Sequence, residues 1–337
     1  MVKSFGSLFY RGILREECGY FVLRQSIPYP LGDSNSYIAE TSQGWAIIDV
    51  GVDLPSTREL WQLALKEIGI SFQNISEIYI THCHPDHLGA AKWMQQRSNA
   101  PVFMLDEEIK RADTFIFFDT DFAASYRKAI EDECRRQNFR DELRDALVHS
   151  WQHEVTPLFP KPEVLLPLHE NQQIDLRGEK FTIIPAPVHV DGQFLLWNDN
   201  VNQLFCADLL AKDAYVHFTD WPNTRRPNSI ELLFNCIERL KTMGTPVVFP
   251  GHGGSFNDLP ARLQSLQDRH WHRLKKIREK IKGEITAADM YPQIYDLFDY
   301  VHLHRSAMGE TLGYLEYLSY IGEIQKSDQE DRVIFSR

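Results

Sequence analysis

The densest chemistry in the sequence lies in Thr81-His82-Cys83-His84-Pro85-Asp86-His87, where four groups able to bind a metal fall within six residues. In an extended segment residues two apart point the same way, so His82 and His84 can grip one ion. The turn at Pro85 then redirects Asp86 and His87 towards a second. Three more candidates each follow an apolar run. His189 comes after Ile183-Ile184-Pro185-Ala186-Pro187-Val188, Asp208 after Leu204-Phe205-Cys206-Ala207, and His252 after Val247-Val248-Phe249-Pro250-Gly251. Any one of them alone reads as a cap or turn residue. In company with the HxHxDH run they read as a metal site gathered at one sheet edge. Imidazole and carboxylate donors suit zinc and also accept iron or manganese.

The elements that must position these residues are strands and helices in alternation. Strands are expected at Tyr37–Ala39, Trp45–Asp49 and Ile75–Ile80, with a helix from about Ser56 to Ile68 between the last two, which makes an α/β arrangement. Chemistry where a strand ends, as Ile80 does in Thr81 to His87, fits such folds. From about Leu105 to Pro162 the chain turns helical, charged and aromatic (Phe115, Phe117, Phe118, Phe122, Tyr126), an insertion whose aromatics read first as a satellite core and, as a sharper reading, as a lid that shapes the substrate pocket. Strands return at Phe181–Ile184, Phe194–Trp197, Gln203–Ala207 and Thr245–Phe249, with a helix near Ser229–Thr242. From about Ile285 the pattern is helical again and ends in Gly322–Gln325 and Arg332–Phe335, read as a small hairpin in a helix-and-wing unit.

Bulk properties narrow the classes. At 337 residues, with 43% hydrophobic and 25% charged residues, the chain can bury a large core and falls outside the disordered classes. A net charge of −11 disfavours nucleic acid and anionic membrane as partners, since Lys and Arg must neutralise phosphates. The basic stretch Arg269 to Lys282 reads as a solvated helix face. Five scattered cysteines without a CxxC pair suggest neither disulfides nor a thiolate zinc site, and no apolar run is long enough for a signal peptide or a membrane span. The expected location is the cytoplasm.

Through Ile48-Asp49-Val50-Gly51, Thr81 to Gly89, His189, Asp208 and Pro250-Gly251-His252-Gly253, the sequence resembles the metallo-β-lactamase superfamily. In His189-Val190-Asp191-Gly192-Gln193, Trp221-Pro222-Asn223 and Arg305 to Leu318 it further resembles the glyoxalase II and β-lactamase-like protein 2 subgroup. Val188 stands where a glycine is common in that family, and Ala90 where some thioesterase relatives have a second glycine. The resemblance implies a four-layer αββα sandwich over roughly residues 15–282, so that a catalytic domain (1–282) is followed by a small winged-helix-like domain (283–337). It also implies His82, His84 and His189 on one metal, Asp86, His87 and His252 on the other, Asp208 bridging, and Asp49 holding the ligand loop.

With that set, two ions about 3.5 to 4 Å apart would make hydroxide available from a bridging water near neutral pH and polarise the bond under attack. Asp86 would orient that hydroxide and pass its proton to the leaving group. Tyr215, seven residues after Asp208, is a further candidate donor to an oxyanion or leaving group. His153, His217, His270 and His272 could line the cleft, though each reads first as structural or exposed. The function expected is hydrolysis of an ester or thioester in a small-molecule substrate, with the aromatic insertion as an apolar wall. The alternatives are a phosphodiesterase or ribonuclease using the same two metals, and an iron-binding redox or sensor module. A homo-oligomer is left open.

Overall fold

The computed structural model describes residues 8, 11–27, 32–115, 128, 130–154, 160–219, 226–296, 301–329 and 332–337, without the side chains of 114, 115, 148–154, 301 and 302. Phe117, Phe118, Phe122, Tyr126, Trp221, Pro222 and Asn223 lie outside the described residues, as do the side chains of Phe115 and His153.

Seven strands form the first sheet in chain order: β1 (Leu14–Glu17), β2 (Tyr20–Ser26), β3 (Asp33–Thr41), β4 (Gly44–Ile48), β5 (Ile75–Tyr79), β6 (Val102–Leu105) and β7 (Leu165–Leu168). The first four pair antiparallel, while β4 to β7 are parallel and so need crossovers. Helices α1 (Pro55–Ile68), α2 (Pro85–Leu88), α3 (Ala91–Ser98) and α4 (Asp106–Phe115) belong to those crossovers. Helix α1 starts on Pro55, where a missing N–H costs nothing, and stops at Gly69 in the left-handed region, φ 79°.

The second sheet has the order β12-β11-β10-β9-β8, from β8 (Gln173–Leu176), β9 (Glu179–Pro185), β10 (Phe194–Asn198), β11 (Gln203–Ala207) and β12 (Val247–Pro250). Only β11 and β12 run parallel, joined through α6 (Ser229–Lys241), which follows α5 (Asp141–Glu154) in the chain. Helix α7 (Leu259–Lys280) follows β12, then come α8 (Ala287–Met290), α9 (Val301–Tyr320) and a hairpin of β13 (Gln325–Asp328) and β14 (Val333–Ser336).

Period-two alternation explains the layers. Tyr37 and Ala39 of β3 face a core shared with Phe181, Phe194, Phe205 and Phe249 of the second sheet, while Ile38 faces Trp61 of α1 and Met94 of α3. Leu195, Leu204 and Val248 point the other way, into a core with Ile237 of α6, Leu266 of α7 and Leu315 of α9. Each central strand is therefore buried on both faces and each sheet carries helices outside: the four-layer αββα sandwich that the resemblance implies. Between the sheets Tyr20, Tyr37, Phe205 and Phe249 meet edge to face at 5.0–5.8 Å, and every such buried ring contributes about 1.5–3 kcal/mol.

The expected strands and helices are present with ends shifted by a few residues. Sequence reading missed β1, β2, β6, β7 and β8. Between β6 and β7 the chain is helical over α4, residues 130–136 and α5, and Phe139, just before α5, stacks on Tyr291 at 6.1 Å. Among the described residues no helix is long and apolar enough to cross a membrane, and the five cysteines form no disulfide.

Candidate metal centre

All seven expected ligands stand just beyond the ends of strands on one edge of the sandwich. His82 and His84 lie on the loop after β5, Asp86 and His87 on the single turn α2, His189 after β9, Asp208 after β11 and His252 after β12. Main-chain bonds close that edge across the two sheets, from Phe194 N to Thr81 O at 3.2 Å and from Asn35 N to Gly251 O at 2.8 Å. Asn35 Nδ2 also donates to Pro250 O and Gly253 O at 2.9 Å each, and the Tyr37 hydroxyl to Pro250 O at 2.6 Å, so the His252 loop is tied down on both sides.

The side chains fall into two groups, His82, His84, His189 and Asp208 in one and Asp86, His87 and His252 in the other, with donor atoms of a group within 4.8 Å of each other. In the first, His84 Nδ1 lies 3.1 Å from His82 Nε2 and 2.9 Å from His189 Nε2, and Asp208 Oδ2 lies 3.6 Å from His189 Nε2. In the second, Asp86 Oδ2 is 3.3 Å from His252 Nε2 and 3.6 Å from His87 Nε2. Asp208 stands between the groups, its Oδ2 also 3.1 Å from His252 Nε2 and its Oδ1 3.4 Å from His87 Nε2. Nitrogen ligands about 2.1 Å from one tetrahedral ion sit about 3.4 Å apart, the scale of these separations.

Acceptors outside the two groups orient four of the five imidazoles. His87 Nδ1 donates to Asp49 Oδ2 at 2.8 Å, His189 Nδ1 to His217 O at 2.9 Å, and His252 Nδ1 to Asp33 O at 3.0 Å. His82 Nδ1 donates to Thr81 Oγ1 at 3.0 Å, and that hydroxyl donates on to Asp49 Oδ2 at 2.8 Å. With these four Nδ1 atoms engaged outward, their Nε2 atoms face the group centres, while His84 turns its Nδ1 inward. His87 Nε2 and Asp208 Oδ1 are buried with no hydrogen-bond partner, an arrangement that is costly unless a cation satisfies both. The residues present thus fit a pair of metal ions.

Electrostatics divide the histidines in the same sense. Burial, reinforced by neighbouring imidazoles, pushes His82 and His189 well below the usual histidine range, so they stay neutral ligands. Burial also opposes a charge on His87 and His252, but Asp208 and the other carboxylates outweigh it and push His87 up, and His252 up to about 10. Burial raises Asp86, and the charges of His87 and His252 prevail and bring it down to about 2. Burial also raises Asp208, but the charges of His252 and His87 outweigh it and hold it well below the usual carboxylate range, so two buried carboxylates place negative charge at the centre.

Gly251 is required by contact: a Cβ there would collide with Asp208 Oδ1 and come within 3.0 Å of His87 Cε1. At the common glycine position, Val188 is buried, and its N–H bonds to Ala186 O at 2.7 Å in a tight turn that still delivers His189. Of the other candidates, His217 lies with its ring 4.5 Å from that of His189. His270 is buried on Tyr314, and His272 is exposed on α7. Tyr215 is in neither ligand group; its hydroxyl meets Ser265 Oγ at 2.7 Å and its ring lies 4.2 Å from both the Arg262 and Arg269 guanidiniums.

Three supports escaped sequence reading. Glu108 accepts from Cys83 N and Gly192 N, Gln193 Oε1 accepts from Asp208 N at 3.1 Å, and the His217 carbonyl holds His189. Neither Glu108 nor Arg111 stands out in the sequence, because a Glu and an Arg three residues apart are commonplace on helix surfaces.

The comparisons agree with this geometry. A family model described as Metallo-beta-lactamase superfamily matches residues 29–252. The chain is 20% identical over 306 residues to a Bacillus subtilis (strain 168) protein named "Probable metallo-hydrolase YqjP", covering 88% of this chain and 91% of that one. It is also 20% identical over 281 residues to the "Beta-lactamase-like protein 2 homolog" of Caenorhabditis elegans, covering 80% and 72%. Among solved structures, a metallo-beta-lactamase family protein from Thermus thermophilus matches with TM-score 0.78 and 25% identity over 95% of this chain and 98% of that one. A beta-lactamase domain protein from Burkholderia ambifaria matches with TM-score 0.82 and 21% identity over 96% and 94%. With sandwich, site and family model in agreement, the chain belongs to the metallo-beta-lactamase superfamily.

Proposed function

We propose that this protein is a dinuclear metal-dependent hydrolase that cleaves an ester or thioester bond in a small-molecule substrate. The observation that carries the two-metal reading is Asp208, whose carboxylate stands between the two ligand groups. His82, His84 and His189 would hold one ion, Asp86, His87 and His252 the other, with Asp208 shared. Two bound divalent ions, zinc by the donor chemistry, would supply an activated water and polarise the bond under attack.

The residues then have separate tasks. Asp49 keeps His87 oriented and, through Thr81, His82. Asp86, at the second group, orients the attacking water and carries its proton to the leaving group. An acyl substrate rather than a phosphate-backbone polymer is supported by the net charge of −11, which would repel a polyanion. Residues 283–337 act in this reading as a small winged-helix-like domain that braces the catalytic one.

The test is elemental analysis of the wild type and of Asp208→Ala, paired with a hydrolysis screen of acyl thioesters, esters, lactones, phosphodiesters and RNA. Two ions per chain, with metal and thioester or ester turnover lost together in the variant, is the expected result. Turnover confined to RNA or phosphodiesters would replace the acyl substrate with a phosphoryl one, and wild-type protein that takes up no metal would end the hydrolase reading.

A further inference from the structure

Helix α4 contributes none of the seven ligands, yet Glu108 on it reaches both loops that carry the histidines of the first group. Its Oε1 accepts from Cys83 N, between His82 and His84, at 2.8 Å. Its Oε2 accepts from Gly192 N, three residues beyond His189, at 3.0 Å. The carboxylate is fully buried, and the buried Arg111 guanidinium, one helical turn on, donates to Oε1 at 3.1 Å. Gly192 fits the contact closely, since a Cβ there would lie 2.6–2.8 Å from Glu108 N, Cβ and Oε2.

A buried ion pair is weak as a source of stability, because desolvation of both charges offsets their attraction and an apolar pair of like volume does as well. What an apolar pair cannot do is accept two main-chain amides at once. Cys83 follows β5 of the first sheet and Gly192 precedes β10 of the second, so one rigid carboxylate sets the spacing of two loops that come from different sheets. The second group has other supports, Asp49 for His87 and the Asp33 carbonyl for His252.

We propose that Glu108, held by Arg111, is a positioning residue that fixes the His82–His84 loop against the His189 loop and so sets the first metal group without touching the second. The inference rests on the two-metal reading above. Removing the clamp therefore has a selective consequence: one ion is weakened and the other is not. A purely structural role would lower stability while leaving the relative affinities of the two ions unchanged.

Full-length wild type, Glu108→Gln and Glu108→Gln/Arg111→Met are to be titrated with Zn²⁺ alone by equilibrium dialysis, then with Co²⁺ to follow the ligand-field bands of each ion. Gln keeps one acceptor oxygen but presents an NH₂ that cannot accept, so one loop is released. The double variant also removes the buried arginine charge that faced the carboxylate, and keeps the test valid if the single variant folds poorly. Expected is one ion at wild-type affinity and the other weakened by about 10–100-fold, the usual cost of losing an outer hydrogen bond at a metal site. Two ions at wild-type affinity in the double variant would overturn the clamp alone, and equal weakening of both ions would reduce Glu108 to a structural residue. A wild type that binds no ion would overturn the two-metal reading and the clamp with it.

Discussion

The Nδ1–H of His189 donates to the backbone carbonyl of His217 at 2.9 Å, which ties the tautomer of an expected metal ligand to the placement of a loop that contributes no ligand. The next residue, Phe218, is buried, its ring centred 5.2 Å from His270 of α7 and 5.3 Å from Tyr314 of α9. Gly313 leaves room for that ring, since a Cβ there would lie 2.9 Å from Phe218 Cε2. The outer helices therefore hold the ring that holds the carbonyl.

Gly313→Ala should push Phe218 and shift His217 O. Overpacking of this kind costs about 1–3 kcal/mol of stability, and a displaced acceptor on a ligand imidazole should weaken the first ion by roughly tenfold. Thermal unfolding of the apo protein and Zn²⁺ titration measure the two effects separately. A fall in stability with unchanged Zn²⁺ affinity would break the proposed link between α9 and His189.

How far the sequence revealed this site depends on how local each signal is. His82 to His87 announce themselves because four donors share one short loop, and His189, Asp208 and His252 stand out by following apolar strands. Strands β6, β7 and β8 are only four residues each, too short for a period to register, and β2 is buried on both faces so its alternation is blurred. The supports are harder still. Glu108 and its two amide partners are separated by 25 and 84 residues, and the His217 contribution is a carbonyl that every residue possesses. Tyr215, chosen for its distance in sequence from Asp208, is engaged with Ser265 across 50 residues, a pairing that spacing along the chain does not encode.

Asp49→Asn should separate orientation from fold. Asp49 sits at φ 58°, a region asparagine also tolerates, so the backbone need not change. Its Oδ2 accepts from both His87 and the Thr81 hydroxyl, and its Oδ1 from Thr81 N at 2.8 Å. An amide can supply one of those acceptor atoms only. Expected is a folded protein whose metal affinity drops by about 10–100-fold, read by dialysis and elemental analysis. Full metal content in Asp49→Asn would remove Asp49 from the support of the centre.

Metal occupancy should appear as stability. Each group draws its candidate ligands from more than one loop, a gathering that an unfolded chain does not hold together, so ions bind the folded state preferentially. Free ion at 100 times its dissociation constant adds about 2.7 kcal/mol per site. Chelation followed by dialysis should lower the unfolding midpoint and Zn²⁺ should restore it, whereas Asp208→Ala should respond little to either. A midpoint indifferent to chelator in metal-loaded wild type would argue against structural coupling of the centre.

Acid stability offers a probe away from the metal centre. His270 is buried, its Nδ1 2.6 Å from the Tyr314 hydroxyl and its Nε2 without a partner. Burial brings its pKa down to about 4; Arg273 and Arg269 act in the same direction, and Glu310 opposes them. Against an ordinary value near 6.5, the unfolded chain takes up this proton first as pH falls. The neutral imidazole's contribution is therefore complete above about pH 6.5 and is lost progressively towards pH 4, on the order of 3 kcal/mol in all. His270→Gln, which cannot titrate, should be less stable than wild type at pH 8 and lose less on acidification. Equal losses between pH 7 and pH 4.5 in denaturant melts of the two proteins would show that His270 does not carry this term.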